Sequence, residues 1–508
     1  MTSAENLAPE AASEHALGTA RDAQQRWALT PLRDRLSKIR TLRGLIAEHC
    51  WELAEASATV RQRPAQEMLT AEVLPLAEAC RFLEREACAI LAKRRVGRSG
   101  LPIWLAGIRT EVLRDPLGVV LILGPGNYPL LLPGVQLIQA LVAGNAVLLK
   151  PAAGGVEVAR VLLDLLLRAG FEPSLVTLLP ETTEAARAAI ESGPDKVIFT
   201  GSAATGEIIL SQLARHLTPA TMELSGCDAV IVRDDADIVL AAKSIAFGLR
   251  LNNGATCMAP KRVYVSPSRV EALKSRLIEE LQSRRVQNEV GDISSLVGAS
   301  VTRSPQQEHL FSLVMDAISQ GATIIHGSLQ EEGIPTLPLI LADVAPSSKL
   351  LGDDIFLPVL AIVTVATEDE AITQVNACSF ALGAAVFSRD EHGAQDVASR
   401  IRAGVVTIND LIIPTADARL PFGGRGRSGF GVTRGREGLL ELTTPKVVTV
   451  SRAKFRPALE VPHPHDADMF EAYFGLSHRR GIGPRFSALL SLLRNIMRRA
   501  TTQSTEVK

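Results

Sequence analysis

An uncharged stretch between Asp115 and Lys150 does most to limit how this chain of 508 residues can fold. The stretch is long enough to span a bilayer, but glycine and proline residues cut it into short pieces. These residues are Gly124, Pro125, Gly126, Pro129, Pro133 and Gly144. Short apolar pieces between such breaks predict two buried strands around a buried helix, as in a parallel sheet.

The alternation of strand and helix continues beyond this stretch. Predicted strands are residues 117–123, 146–149, 175–179 and 196–200, and predicted helices are 134–143, 156–169 and 184–192. This pattern indicates an α/β fold, in which a parallel sheet carries helices on both faces. Ligands of such sheets bind beyond the carboxyl ends of the strands. We therefore expect Asn127, Lys150 and Gly201 to face a ligand.

Two further regions flank this one. Residues 21–95 carry apolar side chains at helical intervals and predict helices. A second α/β unit begins near Gly226. Its predicted strands are 230–232, 263–265, 359–365, 384–387 and 405–409, and its predicted helices are 238–249, 270–283 and 311–318. Residues 420–431 predict a glycine-rich loop, and residues 446–450 predict a final strand.

Composition narrows the class of protein. Hydrophobic residues make up 46% of the chain and its net charge is −1, which favours a large core and argues against a nucleic-acid partner. The six cysteines are scattered without a C-x-x-C pair, so we expect neither a disulfide framework nor a zinc site. His463 and His465 lack further ligands, and no metal is predicted. A cytoplasmic location is expected, and Met1 to Ala20 lacks the apolar core of a signal peptide.

Cys257 is the first candidate for catalysis. It follows the turn residues Asn252, Asn253 and Gly254, which permit unusual backbone angles. A backbone N–H at the cysteine could then point into a cleft, where a nucleophilic thiol would be partly exposed. The alternative is that Cys257 is a small buried hydrophobic residue.

Other candidates lie elsewhere in the chain. Asn127 could donate its amide N–H to an oxyanion, or could simply be a turn residue. Glu223 could be a general base if burial raises its pKa, or could be a surface carboxylate. Gly201, Ser202 and Gly206 open a helix, where backbone N–H groups could bind a phosphate; the alternative is a plain tight turn.

Seven motifs, in order, resemble those of the aldehyde dehydrogenase superfamily. They are Gly124–Pro129, Ala143–Pro151, Phe199–Ser202 with Gly206, Glu223–Gly226, Asn253–Cys257, Asp354–Val359, and Pro421–Gly424 with Ser428–Gly429. The resemblance runs from about residue 21 to 452. It implies a Rossmann-like cofactor domain (21–102 and 117–225), an α/β catalytic domain (226–430), oligomerisation strands (103–116 and 440–453) and a C-terminal extension (454–508).

The resemblance also implies a mechanism. Cys257 would attack an aldehyde, Asn127 and the Cys257 N–H would hold the oxyanion, and hydride would pass to NAD or NADP. Glu223 would then activate water, so that the thioester is hydrolysed to a carboxylic acid. Lys150 would bind the adenine ribose, and Asp354 the nicotinamide ribose. By the same resemblance, Gly201, Ser202 and Gly206 belong to the phosphate loop, with the first two lying by the pyrophosphate, and Phe356 lies on the nicotinamide side.

Several positions depart from the family pattern. They are Gly126, Ala153, Ser225, Cys227, Ala255, Asp354 and Leu357. Ala153 lacks the carboxylate that would repel a 2′-phosphate, so NADP is permitted beside NAD. Two alternatives stay open: an acylating enzyme that releases the thioester to coenzyme A, which Glu223 disfavours, and a binding or scaffold protein that has lost turnover.

Two expectations concern partners. The resemblance implies a homodimer or homotetramer that acts on a small aldehyde. The tail carries a basic amphipathic helix at residues 485–500, with an apolar stripe from Phe486 to Ala500 and four arginines. This helix could lie on an anionic membrane, or dock onto its own subunit or a neighbour.

Overall fold

A computed structural model of the chain describes residues 9–102, 105, 107–283, 305–329, 335–452, 459 and 466–506. Ile103, where a strand was expected to begin, lies outside these residues, as do His463 and His465. The chain forms two compact units. The larger unit comprises the residues up to Lys93 together with Leu113–Lys446, and the smaller comprises Arg94–Val112 with the residues from Val447 onward.

The helices and strands are numbered separately along the chain. The helices are α1 (Pro9–Ala28), α2 (Leu32–Glu48), α3 (Cys50–Arg61), α4 (Ala65–Met68), α5 (Leu74–Ile90), α6 (Leu131–Ala143), α7 (Val156–Arg168), α8 (Thr183–Glu191), α9 (Ala203–Leu213), α10 (Ile238–Arg250), α11 (Val270–Ser283), α12 (Pro305–Ser319), α13 (Glu368–Ala377), α14 (Glu391–Arg400), α15 (Gly435–Glu441), α16 (Asp466–His478) and α17 (Ile482–Glu506). The strands are β1 (Arg94–Val96), β2 (Ile108–Pro116), β3 (Val119–Leu123), β4 (Ala146–Lys150), β5 (Val176–Leu178), β6 (Lys196–Gly201), β7 (Ala220–Leu224), β8 (Asp228–Val232), β9 (Pro260–Val265), β10 (Thr323–Ser328), β11 (Thr336–Ala342), β12 (Val359–Thr364), β13 (Phe380–Ala381), β14 (Gly383–Phe387), β15 (Val405–Ile408), β16 (Arg425–Gly426), β17 (Gly429–Phe430) and β18 (Thr443–Ser451).

A six-stranded sheet forms the first part of the larger unit, with strand order β17-β7-β6-β3-β4-β5. The pairs from β7 to β5 are parallel, as the alternating pattern predicted. The predicted parallel sheet has one further strand at its edge, because β17 pairs with β7 antiparallel. The predicted loop 420–431 contains this short strand. Gly429 permits the pairing: at a φ of +98°, an added Cβ would lie 1.9 Å from the carbonyl oxygen of Met222.

Helices cover this sheet and share one core with it. The predicted apolar stripe of α2 is confirmed, since Leu36, Ile39, Leu42 and Ile46 are buried. Each fully buried leucine or isoleucine side chain contributes roughly 1.5–3 kcal/mol to folding. The strands β3 and β4 are buried along nearly their whole length, which explains why they carry no charge before Lys150.

A seven-stranded sheet forms the second part of the larger unit, in the order β10-β11-β12-β9-β8-β14-β15. Only the β10–β11 pair in this sheet is antiparallel. The side chains of successive residues in a strand point to opposite faces of the sheet. Val230 and Ile231 therefore lie in two different hydrophobic cores. The sequence did not indicate β11, because Pro338 interrupts it and proline is usually a sign against a strand.

Two smaller sheets are formed by β1, β2 and β18 and by β13 and β16. The tail contains the helices α16 and α17. Among the described residues, no helix has both the length and the apolarity needed to cross a membrane.

Candidate active site

Two cavities of the larger unit meet at Cys257. The first, of about 460 Å³, is lined by residues including Asn127, Gly201, Ser202, Glu223, Asp354 and Phe356. The second, of about 570 Å³, is lined by residues including Tyr128, Leu131, Phe247, Met258, Ile412 and Arg434. Leu132, Cys257 and Phe422 line both cavities. A thiol in this position can reach a molecule in either cavity.

A strained turn holds the thiol in place. Asn252, Asn253 and Gly254 have φ angles of 53°, 50° and 72°, which confirms the unusual backbone that the turn residues predicted. Gly254 is required for a second reason, because an added Cβ would lie 2.5 Å from the backbone nitrogen of Pro358. The strain and the tight fit fix the chain just before Cys257.

Asn127 lies directly against this turn. Its Nδ2 donates a hydrogen bond of 3.1 Å to the carbonyl oxygen of Ala255, and its own carbonyl oxygen accepts a bond of 2.9 Å from Nδ2 of Asn252. Nδ2 of Asn252 also donates to the oxygen of Ala255. The Asn127 amide has a second N–H, and Asn127 and Cys257 both line the first cavity. An oxyanion formed near Cys257 could accept that hydrogen.

Glu223 lies near the end of β7 and is 4% exposed, so the alternative of a surface carboxylate is wrong. Three side chains donate to it: Gln136 Nε2 at 3.3 Å, Thr200 Oγ1 at 3.2 Å, and Thr433 Oγ1. Burial raises the pKa of Glu223, while these hydrogen bonds and Arg434 oppose the rise. A carboxylate whose pKa is raised is a stronger base than an exposed one.

The environment of Cys257 disfavours the thiolate form of its side chain. Burial raises the pKa of the thiol to about 12, and the carboxylates of Asp228 and Glu223 act in the same direction. Arg434 and the backbone N–H of Met258 lower the pKa. Nucleophilic attack therefore needs a nearby positive charge or a proton acceptor.

The predicted cofactor residues fall into two groups. Gly201, Ser202, Asp354 and Phe356 line the first cavity with Cys257. Lys150 and Gly206 are not among the lining residues. Burial lowers the pKa of Lys150, at the carboxyl end of β4.

The phosphate-loop segment opens α9. Ser202 caps this helix by accepting a bond of 3.3 Å from the N–H of Thr205. Gly206 allows α9 to approach β7 closely, because an added Cβ would lie 2.9 Å from Cδ2 of Leu224. Gly206 is therefore needed for the close packing of α9 on β7, whereas Gly201 and Ser202 line the first cavity.

Two departures from the family pattern meet in the first cavity. The hydroxyl of Ser225 donates to Oδ2 of Asp354. Lys261 Nζ fastens the segment that follows Asp354 by donating to the carbonyl oxygens of Leu357 at 2.8 Å and Gly254 at 3.4 Å. Burial lowers the pKa of Lys261 to about 8. These contacts tie the loop of Asp354 to the loop of the thiol.

Sequence reasoning missed several residues that position the site. Glu72 is fully buried in a π-helical turn, and its Oε2 accepts bonds of 2.8 and 3.0 Å from the N–H groups of Leu130 and Leu131 at the start of α6. These two hydrogen bonds fix the position of the loop that carries Asn127. Met68, Glu72 and Leu76 follow one another at intervals of four residues, so they share one face of a helix. A carboxylate on this apolar face was the sequence signal that could have identified Glu72.

The site therefore has a thiol where two cavities meet, with a glycine turn beside one of them. The chain matches the aldehyde dehydrogenase family over residues 4–448. It is 30% identical over 460 residues to 4,4′-diapolycopene aldehyde oxidase of a Methylomonas species, covering 90% of this chain and 85% of that protein.

Solved structures agree with this match. The NAD⁺ complex of an aldehyde dehydrogenase from Bacillus cereus superposes with a TM-score of 0.78 at 28% identity, covering 87% of this chain and 89% of that one. An NADP-dependent glyceraldehyde-3-phosphate dehydrogenase from Bacillus halodurans C-125, complexed with NADP, gives a TM-score of 0.77 at 29% identity, covering 87% and 92%. The chain belongs to the aldehyde dehydrogenase family. Its class of reaction is the oxidation of an aldehyde with NAD or NADP.

Proposed function

We propose that Cys257 is the nucleophile of aldehyde oxidation, with Asn127 as an oxyanion donor and Glu223 as general base. The observation that carries this proposal is the position of Cys257 where the two cavities meet. A substrate carbonyl entering from the second cavity would meet the sulfur, and a cofactor in the first cavity would meet the same carbon from the other side.

The chain's own groups support each step. The Cys257 thiol loses its proton to water and its sulfur forms a bond to the aldehyde carbon. The π electron pair of the carbonyl moves to its oxygen, giving an oxyanion that the Asn127 amide can stabilise. When bound, the nicotinamide supplies the acceptor for the hydride that leaves this carbon. Glu223 then takes a proton from water, the water oxygen displaces the sulfur, and the carboxylic acid leaves.

The first cavity fits a dinucleotide. It combines the glycine turn at Gly201, the capped start of α9, an acidic side chain at Asp354 and an aromatic ring at Phe356. We propose that these residues hold the nicotinamide half and the pyrophosphate. Lys150 and Gly206 keep the roles expected from the resemblance, the first toward the adenine ribose and the second in the phosphate loop.

The second cavity favours an apolar aldehyde. Its lining is mainly aliphatic and aromatic, with Leu131, Leu132, Phe247, Ile412 and Ile413 among the residues. We propose medium-chain aliphatic or aromatic aldehydes as substrates.

The test is turnover with a panel of aldehydes and either NAD or NADP, followed by the appearance of reduced cofactor. Wild-type protein should oxidise apolar aldehydes, and Cys257→Ala should not. Added coenzyme A should leave the rate unchanged, because the buried Glu223 provides hydrolysis. Turnover by the alanine variant, or dependence on coenzyme A, would contradict the proposal. Cofactor binding without turnover of any aldehyde would favour a scaffold.

We also propose that the chain is a cytoplasmic homodimer or homotetramer, and that the four domains keep the boundaries implied by the resemblance. The edge strand β18 supports association, because Val447, Val448 and Val450 are exposed along it. All six cysteines are free, which accords with a reducing compartment. The mass of the native protein in solution tests the oligomer.

Helix α17 supports a contact with an anionic lipid surface. Its exposed apolar side chains are Ile482, Phe486, Leu490, Leu493, Ile496 and Met497. Arg485, Arg494 and Arg498 lie on the same helix. Sedimentation with phosphatidylserine vesicles, but not with neutral vesicles, is expected. Failure to sediment with both would leave docking onto a subunit as the role of this face.

A further inference from the structure

Arg434 is a buried cation that no motif of the family accounts for. Its side chain is 7% exposed, and it lines the second cavity together with Cys257. Its guanidinium lies 4.3 Å from the centre of the Phe422 ring, which also lines both cavities. A charge in a mainly apolar cavity is costly unless it interacts with another charge.

The guanidinium is held, but not fully satisfied. Nη1 donates a bond of 2.5 Å to the carbonyl oxygen of Thr415. The buried Nε has no hydrogen-bond partner. A carbonyl oxygen and an aromatic face orient the group without neutralising it. Its positive charge therefore acts on its surroundings.

The backbone of Arg434 is strained. Its φ of 61° and ψ of 172° lie in a region that glycine adopts and other residues avoid. The side-chain amide of Gln139 clamps this segment, accepting from the Arg434 N–H at 3.2 Å and donating to the Gly435 oxygen at 3.3 Å. Thr433, the residue before Arg434, exchanges two backbone hydrogen bonds of 2.8 Å with Phe422. The fold maintains an arginine where its backbone is unfavourable.

The same segment contacts Glu223 and lines the cavity that Cys257 also lines. Thr433 donates its hydroxyl to Glu223, and Arg434 shares a cavity with Cys257. The titratable or charged groups that act on Cys257 include Tyr128, Glu223, Asp228 and Arg434. The two carboxylates oppose negative charge on the sulfur, and the guanidinium favours it.

We propose that Arg434 is a positioning residue of the reaction, the buried cation that favours the thiolate of Cys257 against the two carboxylates. The inference rests on the proposed role of Cys257. Oriented by Phe422 and Thr415, the guanidinium stabilises negative charge on the sulfur before the aldehyde is attacked. It acts through the thiolate and does not itself react.

The test is the rate at which iodoacetamide alkylates Cys257 as a function of pH, read from the mass of the Cys257 peptide. Arg434→Met keeps the length of the side chain and removes the charge. At each pH below the thiol's midpoint, it should alkylate about tenfold more slowly, as for a shift of about one pH unit. Arg434→Lys should stay closer to wild type than to the methionine variant.

A further variant distinguishes loss of the charge from misfolding. Arg434→Gly suits the backbone angles, so it should fold, alkylate slowly and recover part of the rate when millimolar guanidinium ion is added. Equal rates for wild type and Arg434→Met at every pH would overturn the inference. Equal slowing of Cys257 alkylation by Arg434→Lys and Arg434→Met would also overturn the inference. Alkylation does not require turnover, so this result is distinct from a failure of Cys257→Ala to abolish oxidation.

Discussion

Thr433 donates its hydroxyl hydrogen bond to Oε1 of Glu223 across 210 positions of the sequence. The bond brings the segment that follows β17 onto the proposed base, beside Thr200 and Gln136. The three donors offset part of the effect of burial, which raises the pKa of Glu223. The strength of the base therefore depends on residues that take no part in the reaction themselves.

Thr433→Val removes one donor and keeps the shape of the side chain. Loss of a hydrogen bond to a charged group costs about 1.5–3 kcal/mol, so the pKa of Glu223 should rise further, by about 1–2 units. The ionised form is the base. The acidic limb of the kcat profile should consequently move to higher pH by that amount.

The matched control is Thr443→Val, a buried threonine that bonds the carbonyl oxygen of Leu440. It should leave the pH profile in place. An unchanged acidic limb in Thr433→Val would show that the Thr433 bond does not set the base.

Glu223→Gln should raise the free energy of unfolding at neutral pH by about 1 kcal/mol or more, because it removes a buried charge and its amide can keep the same partners. Burial raises the folded-state pKa of Glu223 above its ordinary value of 4.5. The folded state thus holds the proton more tightly, and the charge costs stability only as pH rises above 4.5 and through the raised pKa. The gain should shrink as pH falls.

Urea unfolding of wild type and variant at neutral and acidic pH measures this gain. Glu184→Gln, at an exposed position in the first turn of α8, is the control and should show a much smaller change. A Glu223→Gln variant less stable than wild type at neutral pH would argue that the burial cost is already offset by the three donors.

Gly254→Ala should distort the turn before Cys257. The added methyl group would lie 2.5 Å from the Pro358 nitrogen, at a φ of +72°. The strain alone costs roughly 1–3 kcal/mol, and the clash adds to it. We expect lower stability in urea and slower alkylation of Cys257. Gly352→Ala, where an added Cβ meets nothing within 4 Å, should change neither quantity.

Strands β3 and β4 could be predicted, because they are runs without charge up to Lys150 and are bounded by glycine and proline. Cys257, Glu223 and Asn127 emerged from turn chemistry and from the resemblance, and the fold places all three at one cavity. Local sequence contains the signals for these features.

Other parts of the site could not be predicted. Thr433 and Arg434 reach the site only through long-range contacts, and no local pattern tells which way their side chains point. Gly429 joins the six-stranded sheet as an antiparallel edge, which its glycine-rich surroundings concealed. The bond between Ser225 and Asp354 links two departures that look unrelated in the sequence.

The covalent role of Cys257 is the central claim, and trapping the acyl-enzyme tests it most directly. Glu223→Gln, mixed with an apolar aldehyde and NAD or NADP, should release one equivalent of reduced cofactor per subunit and then stall. The mass of the Cys257 peptide should rise by that of the acyl group. Steady turnover by this variant, or an acyl group on another residue, would contradict the account.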